Sequence, residues 1–372
     1  MARPAAFLRS TLPLGMDMVS EYDSGRYDSL WIPDHYVSFW PDSIWTPEFT
    51  DLAKASPSPH RHLDGLAIAS AAAVLTSQVP VAMCVVDTVR RHPAMLAQTA
   101  LTIDHLSKGR FILGLGSGEL ENTVPYGFDF AKPVSRFEEA LKVIKLLWHS
   151  DGLVDFEGQF YTLEHARLDT ELLGGKAPPI WTGAIGPRML GITGREADGW
   201  WPTGSYTPED YAAKLEIILD AGDAAGRDMS QFTPALTQIC LIGDEGEIAE
   251  MLEQPMVKSI ILMLTAEDLR QFGHQHPMGP DWRGIQDLNP TVLTRERMIR
   301  FCDELDTQAI RDIFPVGTPK QVAIKVKGMI DAGLQVYKLM EYGSMGGLRF
   351  SANSAQKVRE TEDEIARLCE GV

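Results

Sequence analysis

The stretch from Lys108 to Asn122 reads Lys-Gly-Arg-Phe-Ile-Leu-Gly-Leu-Gly-Ser-Gly-Glu-Leu-Glu-Asn and runs on through Pro125, Tyr126 and Gly127 to Arg136. Phe111 to Leu115 is a short apolar run, the pattern of a buried strand. It ends in Gly114, Gly116 and Gly118, which let backbone approach a ligand closely. Glu119 and Asn122 follow at once. A carboxylate and an amide just past a strand's C-terminal end lie where barrel enzymes keep their chemistry. Two other readings compete. A dinucleotide-binding turn starts like Gly114-Leu115-Gly116, but Glu119 holds its third glycine position. Glu121, Asn122 and Pro125 also disfavour the immediate helix that such a turn requires. The other is a tight turn with an incidental carboxylate.

Outward from this stretch, strand and helix patterns alternate. Leu30 to Ile32, Val81 to Val86, Ile180 to Gly183, Asp198 to Trp201, Leu236 to Ile242 and Gln335 to Met340 read as short apolar strands, with Ala5 to Leu8 as a first one. Helical spacing covers Met16–Tyr22, Leu66–Leu75, Pro93–Leu106, Phe137–Trp148, 186–197, Pro208–Ala225, Pro319–Ala332 and Ala355–Leu368. Ser259 to Leu264 fits either period. The count is close to eight pairs, which predicts one α/β domain over 1–372, a (β/α)8 TIM barrel, rather than an open doubly wound sheet. Excursions near 36–64, 151–175 and 265–310 read as insertions, the second as a small hairpin.

The composition is that of a globular protein, with 44% hydrophobic and 23% charged residues. A net charge of −17 argues against a nucleic-acid partner and an anionic membrane surface. Cys84, Cys240, Cys302 and Cys369 are scattered, so no disulfide framework is expected. No segment is long and apolar enough to span a bilayer. The expectation is a reduced, cytoplasmic enzyme or binding protein.

Asp34-His35 follows a strand directly, and an imidazole there can exchange protons near neutral pH. Polar surface is its bland alternative. Burial would raise the Glu119 pKa; a nearby Arg or His would keep it ionised, and the residues alone leave both open. Gly186-Pro187-Arg188 at a helix start suits a phosphate. His60-x-His62 and His274-x-His276 lack carboxylate or cysteine partners at a metal-site spacing, so no metal is expected. Trp40 and Trp45, in a loop, suit stacking on a flat cofactor or covering an apolar substrate.

Several stretches jointly resemble the luciferase-like superfamily of barrel flavoenzymes, in its branch using the deazaflavin coenzyme F420. They are Trp31 to His35, Arg90-Arg91-His92-Pro93-Ala94, Leu113 to Asn122, Pro133 to Ala140, and Gly186 through Gly199. Asn122 to Gly127, Lys132 to Ala140 and His276 to Asp287 are similar to the phthiodiolone and phenolphthiodiolone dimycocerosate ketoreductases. F420-dependent glucose-6-phosphate dehydrogenases are more distant. The resemblance implies a homodimeric barrel with F420 across its C-terminal mouth, and a non-proline cis peptide at Met83-Cys84 or Cys84-Val85 that props the ring. It implies that Asp34 and Asn122 bind the cofactor and that Gly186, Pro187 and Arg188 hold its phosphate. His35 and Glu119 become the proton-handling pair, and Trp40 stabilises charge or shapes the pocket. Unlike the sugar-phosphate enzymes, the chain has no Lys in Pro202 to Tyr206, which favours a larger, apolar or lipid-like ketone. The alternatives are an FMN-dependent monooxygenase of the same superfamily and a silent barrel that binds a partner or lipid.

Overall fold

The computed structural model describes residues 2–371. Eight parallel strand positions form the barrel wall. They are β1 (Arg3–Pro4, resuming as Ala6–Phe7), β2 (Leu30–Ile32), β3 (Val81–Met83, resuming as Val86–Asp87) and β4 (Phe111–Gly116), then β5 (Ile180–Thr182), β6 (Gly199–Trp200, resuming as Thr203–Gly204), β7 (Thr233–Ile242) and β8 (Val336–Glu341). Each pairs with its neighbours in sequence order. β1 closes the ring: Arg3 pairs with Val336 of β8, and Ala6 with Leu30 of β2.

Eight helices cover the outside: α1 (Val19–Tyr22), α2 (Gly65–Leu75), α3 (Pro93–Ser107), α4 (Pro133–His149), α5 (Pro187–Glu196), α6 (Pro208–Ala224), α7 (Pro319–Asp331) and α8 (Leu348–Glu370). Their starts follow local chemistry. Asp64 caps α2 by accepting from the Ala67 N–H, and Pro opens α3, α4, α5, α6 and α7, where its missing N–H costs nothing. The strands are buried on both faces, as a barrel wrapped in helices requires.

The barrel interior is filled, not hollow. Trp31, Trp181 and Trp201 converge there with Ala5, Ala82 and Ala235. Trp31 and Trp201 stack with ring centroids 3.9 Å apart. Three indoles fit because small residues face them from the other strands, the large–small alternation that a closed barrel demands. Each interior indole N–H with a partner finds a hydroxyl: Trp31 donates to Ser29 at 2.6 Å, and Trp201 to Thr237 at 2.9 Å.

A second apolar cluster, built around Ile239, Met251, Ile260, Leu288 and Phe301, lies in the excursion after β7 and takes in Trp40 and Trp45 from the loop after β2. The 151–175 stretch carries the antiparallel pair Val154–Glu157 and Thr162–Ala166. Ser259–Met263 settles as a 3-10 turn. The closing helix begins at Leu348, earlier than its apolar spacing predicts, because its first turns are polar.

Two expectations for the glycine stretch change. A single helical turn, Leu120–Thr123, does follow Glu119 and passes into a 3-10 turn, Val124–Tyr126. Pro125 is tolerated there because a first-turn N–H needs no intrahelical partner. Gly114 and Gly116 make room for the neighbouring strand, Gly114 for its backbone and Gly116 for a side chain. A Cβ on Gly114 would lie 1.7 Å from the Met83 carbonyl oxygen, and one on Gly116 would lie 2.7 Å from Val85 Cγ2. β4 thus makes room for the bulge Met83-Cys84-Val85, where the Cys84–Val85 peptide is cis.

Gly114→Ala should therefore destabilise the fold by about 1–3 kcal/mol through overpacking against β3. Urea unfolding measures this, and an unchanged midpoint would contradict the packing described.

Candidate active site

The loop at the C-terminal end of β2 meets the segment after β4 through one side chain, Asn122, on the helical turn after β4. It is 1% exposed. Its Oδ1 accepts the backbone N–H groups of Tyr36 (2.6 Å) and Val37 (3.1 Å), which fixes the carboxamide orientation. Its Nδ2 then lies 3.1 Å from His35 Nδ1, 3.1 Å from Glu119 Oε2 and 3.0 Å from Glu121 Oε1. An amide nitrogen has two protons for these three contacts. The count closes when His35 carries a proton on Nδ1 and turns it to Glu119 Oε2, 3.3 Å away. Asn122 then serves the two carboxyl groups.

The two acids differ sharply. Burial works to raise the Glu119 pKa, but His35, its bond to Glu121 and the Arg90 charge outweigh it and hold Glu119 below the ordinary glutamate value. Burial, and then the Glu119 charge, push Glu121 up to about 10. At neutral pH, Glu119 is a carboxylate and Glu121 a neutral acid. Glu121 is 1% exposed, and no donor reaches its Oε2, which as the protonated oxygen is left to donate to Glu119. The ligand atoms of His35, Glu119 and Glu121 lie within 4.8 Å of one another, a grouping with metal-ligand chemistry. The protons of Asn122 and His35 point at the lone pairs a cation would need, so the arrangement fits proton sharing.

Around this cluster, Phe39 presents an edge-on contact to the His35 ring, with centroids 5.4 Å apart. His62 stands 5.5 Å behind His35 and bonds Ser38 and Ser10. Burial first, then the neighbouring His35 and His60, lower its pKa to about 3, so it stays neutral. The histidine pairs do not converge on a metal. His60 accepts the Ser38 N–H, His274 pairs with Asp306 and Asp312, and His276 bonds the Ile261 carbonyl.

Asp34 is placed differently from a residue open to a ligand. Its oxygens accept from Arg90 (2.9 Å), Arg91 (3.0 Å) and the Gly65 N–H (3.1 Å). Arg90 also pairs with Asp87 and donates to the Asp34 carbonyl at 2.6 Å. Asp34 and Arg90 side chains are 2% and 3% exposed. This buried ion network clamps the β2 loop onto the β3 loop and so sets His35 in position. Met83 is buried in the same wall, and Cys84 and Val85 form the bulge beside β4. The Trp40 indole stacks on Trp45 and donates to the Tyr342 hydroxyl at 2.9 Å.

Gly186, Pro187 and Arg188 open α5. Gly186 supplies no side-chain cap, and a Cβ there would meet nothing within 4 Å. The Arg188 guanidinium is 57% exposed and rests on Ser135 and Glu138, each at 2.9 Å. Backbone donors, helix dipole and a reachable guanidinium fit a phosphate. Glu121, Arg90, Arg91 and Phe39 carry much of the geometry and were not among the sequence candidates. The Glu119-x-Glu121 spacing and the Arg pair straight after a strand were the available signals.

Two outcomes follow. Asp34→Ala leaves the buried Arg90 with Asp87 alone and should cost about 1.5–3 kcal/mol in chemical unfolding, whereas an unchanged stability would contradict the clamp. The folded chain holds the Glu121 proton more tightly than the unfolded chain, so folding takes up a proton between the ordinary glutamate value and about 10. Wild-type stability should therefore fall relative to Glu121→Gln as pH rises across that window. Parallel melting curves from pH 5 to pH 9 would contradict the assignment.

The sequence matches the family described as luciferase-like monooxygenase over residues 12–335. It is 37% identical over 347 residues to a phthiodiolone/phenolphthiodiolone dimycocerosates ketoreductase of Mycobacterium tuberculosis, covering 91% of this chain and 89% of that one. It is 30% identical over 328 residues to an F420-dependent glucose-6-phosphate dehydrogenase of Kineococcus radiotolerans, covering 85% and 83%. In structure it is similar to an F420-dependent secondary alcohol dehydrogenase in complex with an F420-acetone adduct, with a TM-score of 0.72 at 19% identity over 98% of this chain and 99% of that one. By the sequence matches, the chain belongs to the luciferase-like monooxygenase family.

Proposed function

We propose that this protein is an F420-dependent oxidoreductase that reduces an apolar or lipid-like ketone to a secondary alcohol, or runs the reverse reaction. The observation that carries the reading is the His35–Glu119–Asn122 cluster at the barrel mouth, beside the Cys84–Val85 bulge. The curated relatives support it through their ketoreductase and F420-dependent dehydrogenase names. The barrel-mouth residues also suit the coenzyme. α5 and Arg188 would hold its phosphate, and Met83, Cys84 and Val85 would back its ring. When bound, the coenzyme supplies or accepts the hydride.

The protein's own residues handle the rest. Carbonyl reduction leaves an alkoxide that must gain one proton. His35 or Glu119 delivers it, and Asn122 keeps the two in register. The Asp34–Arg90–Arg91 clamp holds the His35 loop still, so the donor need not be ordered during the reaction. Trp40, Trp45, Met263, Met278 and Trp282, all associated with the second apolar cluster, offer surface to a long apolar chain. No cation stands in Pro202 to Tyr206 to meet a substrate phosphate. We infer that the protein works as a homodimer, in keeping with its sequence resemblance, and in the cytoplasm, in keeping with its scattered cysteines.

The second reading, an FMN-dependent monooxygenase, draws on the family description. Fluorescence titration with F420 and separately with FMN discriminates: this account expects tight F420 binding and none of FMN, and the reverse preference would overturn it. His35→Ala should lower turnover by about 10²-fold or more while leaving F420 affinity nearly intact. Equal loss of both would remove its role as proton donor.

A further inference from the structure

One buried acid has no part in the reaction as described so far. Glu121 sits at the base of the cluster, nearly solvent-free, with Oε1 accepting from Asn122 and Oε2 meeting no donor, so that a proton on Oε2 is free to be shared with the neighbouring Glu119. Glu119 stands in front of it with 28% of its side chain exposed. The same carboxamide proton donor binds both acids. Two adjacent carboxyl groups in a low-dielectric pocket cannot both ionise cheaply, so such a pair retains one proton. The more buried member keeps it, and the more exposed member stays open to the mouth.

We propose that Glu121 stores the proton that Glu119 hands to the substrate oxygen, acting as a positioning residue behind the donor. This rests on the carbonyl-reduction reading above. In the step, the O–H bond of Glu121 breaks as an O–H bond forms on Glu119. Glu119 then gives that proton to the alkoxide, completing the alcohol. The two electrons arrive with the hydride from a bound reduced deazaflavin, and the carboxyl groups undergo no redox change. Two neighbouring carboxylates remain, and their repulsion draws a proton back from water through the exposed Glu119.

The charged and titratable groups facing Glu121 are Glu119, on the strand end before its own turn, and His35 from the β2 loop. Arg90, from the β3 loop, acts on Glu119 and with His35 favours its ionised form. The proton is thereby confined to the rear position at rest. The raised pKa of Glu121 agrees with this placement.

Two measurements test the proposal. The first is infrared spectroscopy of the protein without cofactor at pH 7, reading the C=O stretch of a neutral carboxylic acid. Because Glu341 and Glu362 are also buried acids with raised pKa values, the band is read as the difference between wild type and Glu121→Gln, and the same difference should appear between Glu119→Gln and the double variant. No band in the wild type minus Glu121→Gln difference would overturn the proposal. The second is the pH profile of ketone reduction with reduced F420 and a long-chain methyl ketone. Glu121→Gln should lower kcat roughly tenfold or more at pH 8 and move the basic limb down by about one pH unit, with KM and F420 affinity held within about twofold. A lowered rate with an unmoved limb would reduce Glu121 to a structural role and overturn the proposal. A wild type that shows the band but reduces no ketone would sink the functional reading instead, leaving the stored proton in place.

Discussion

The Asn122 carboxamide is the joint on which the mouth of this barrel depends. Its oxygen is spent on two backbone N–H groups of the loop after β2, and its nitrogen on side chains of that loop and of the turn after β4. One short side chain therefore sets the distance between an imidazole and a carboxylate that come from segments 84 residues apart. Such a joint works only if both loops are already nearly in place. The buried Asp34–Arg90–Arg91 network fixes the first, and the close seating of β4 against β3 fixes the second. A buried ion network is weak evidence for net stability. Its clear contribution here is geometric, because it ties the residue before His35 to two arginines of the loop after β3.

The same cluster shows how one environment gives two chemically identical groups different states. Glu119 and Glu121 are two residues apart. One faces a cation, an imidazole and the mouth; the other faces the protein interior and its neighbour's charge. Their pKa values separate in opposite directions. Pairs of acids driven apart in this way mark sites of proton traffic in enzymes.

Much of the architecture was legible in the sequence because barrel strands buried on both faces leave short continuous apolar runs, and α-helices leave a 3.6-residue spacing. The recognisable run from Phe111 to Leu115 became β4, and the glycines that closed it were correctly singled out. Their cause was not legible. Gly114 and Gly116 are set by the neighbouring strand's bulge, a contact between segments about 30 residues apart that no local pattern encodes. His35 and Glu119 were readable because strand ends in a barrel converge on one face. Glu121 was not, since its meaning lies in burial and in the charge beside it. The positions of Asp34 and Trp40 were legible, but their partners, Arg90 and Arg91 for the one and Trp45 and Tyr342 for the other, come from distant segments or a loop and were not. The polar start of α8 carries no periodic signal, and so the helix outran its spacing.

The account's central claim is hydride delivery to a carbonyl at this cluster. It is tested most directly by mixing the protein with a long-chain methyl ketone and reduced F420 carrying deuterium at its hydride-donating carbon, with oxygen excluded, and analysing the product by mass spectrometry. The account predicts a secondary alcohol with a single deuterium on its carbinol carbon. An unlabelled alcohol, or a ketone that is converted only when FMN and oxygen are supplied, would contradict it.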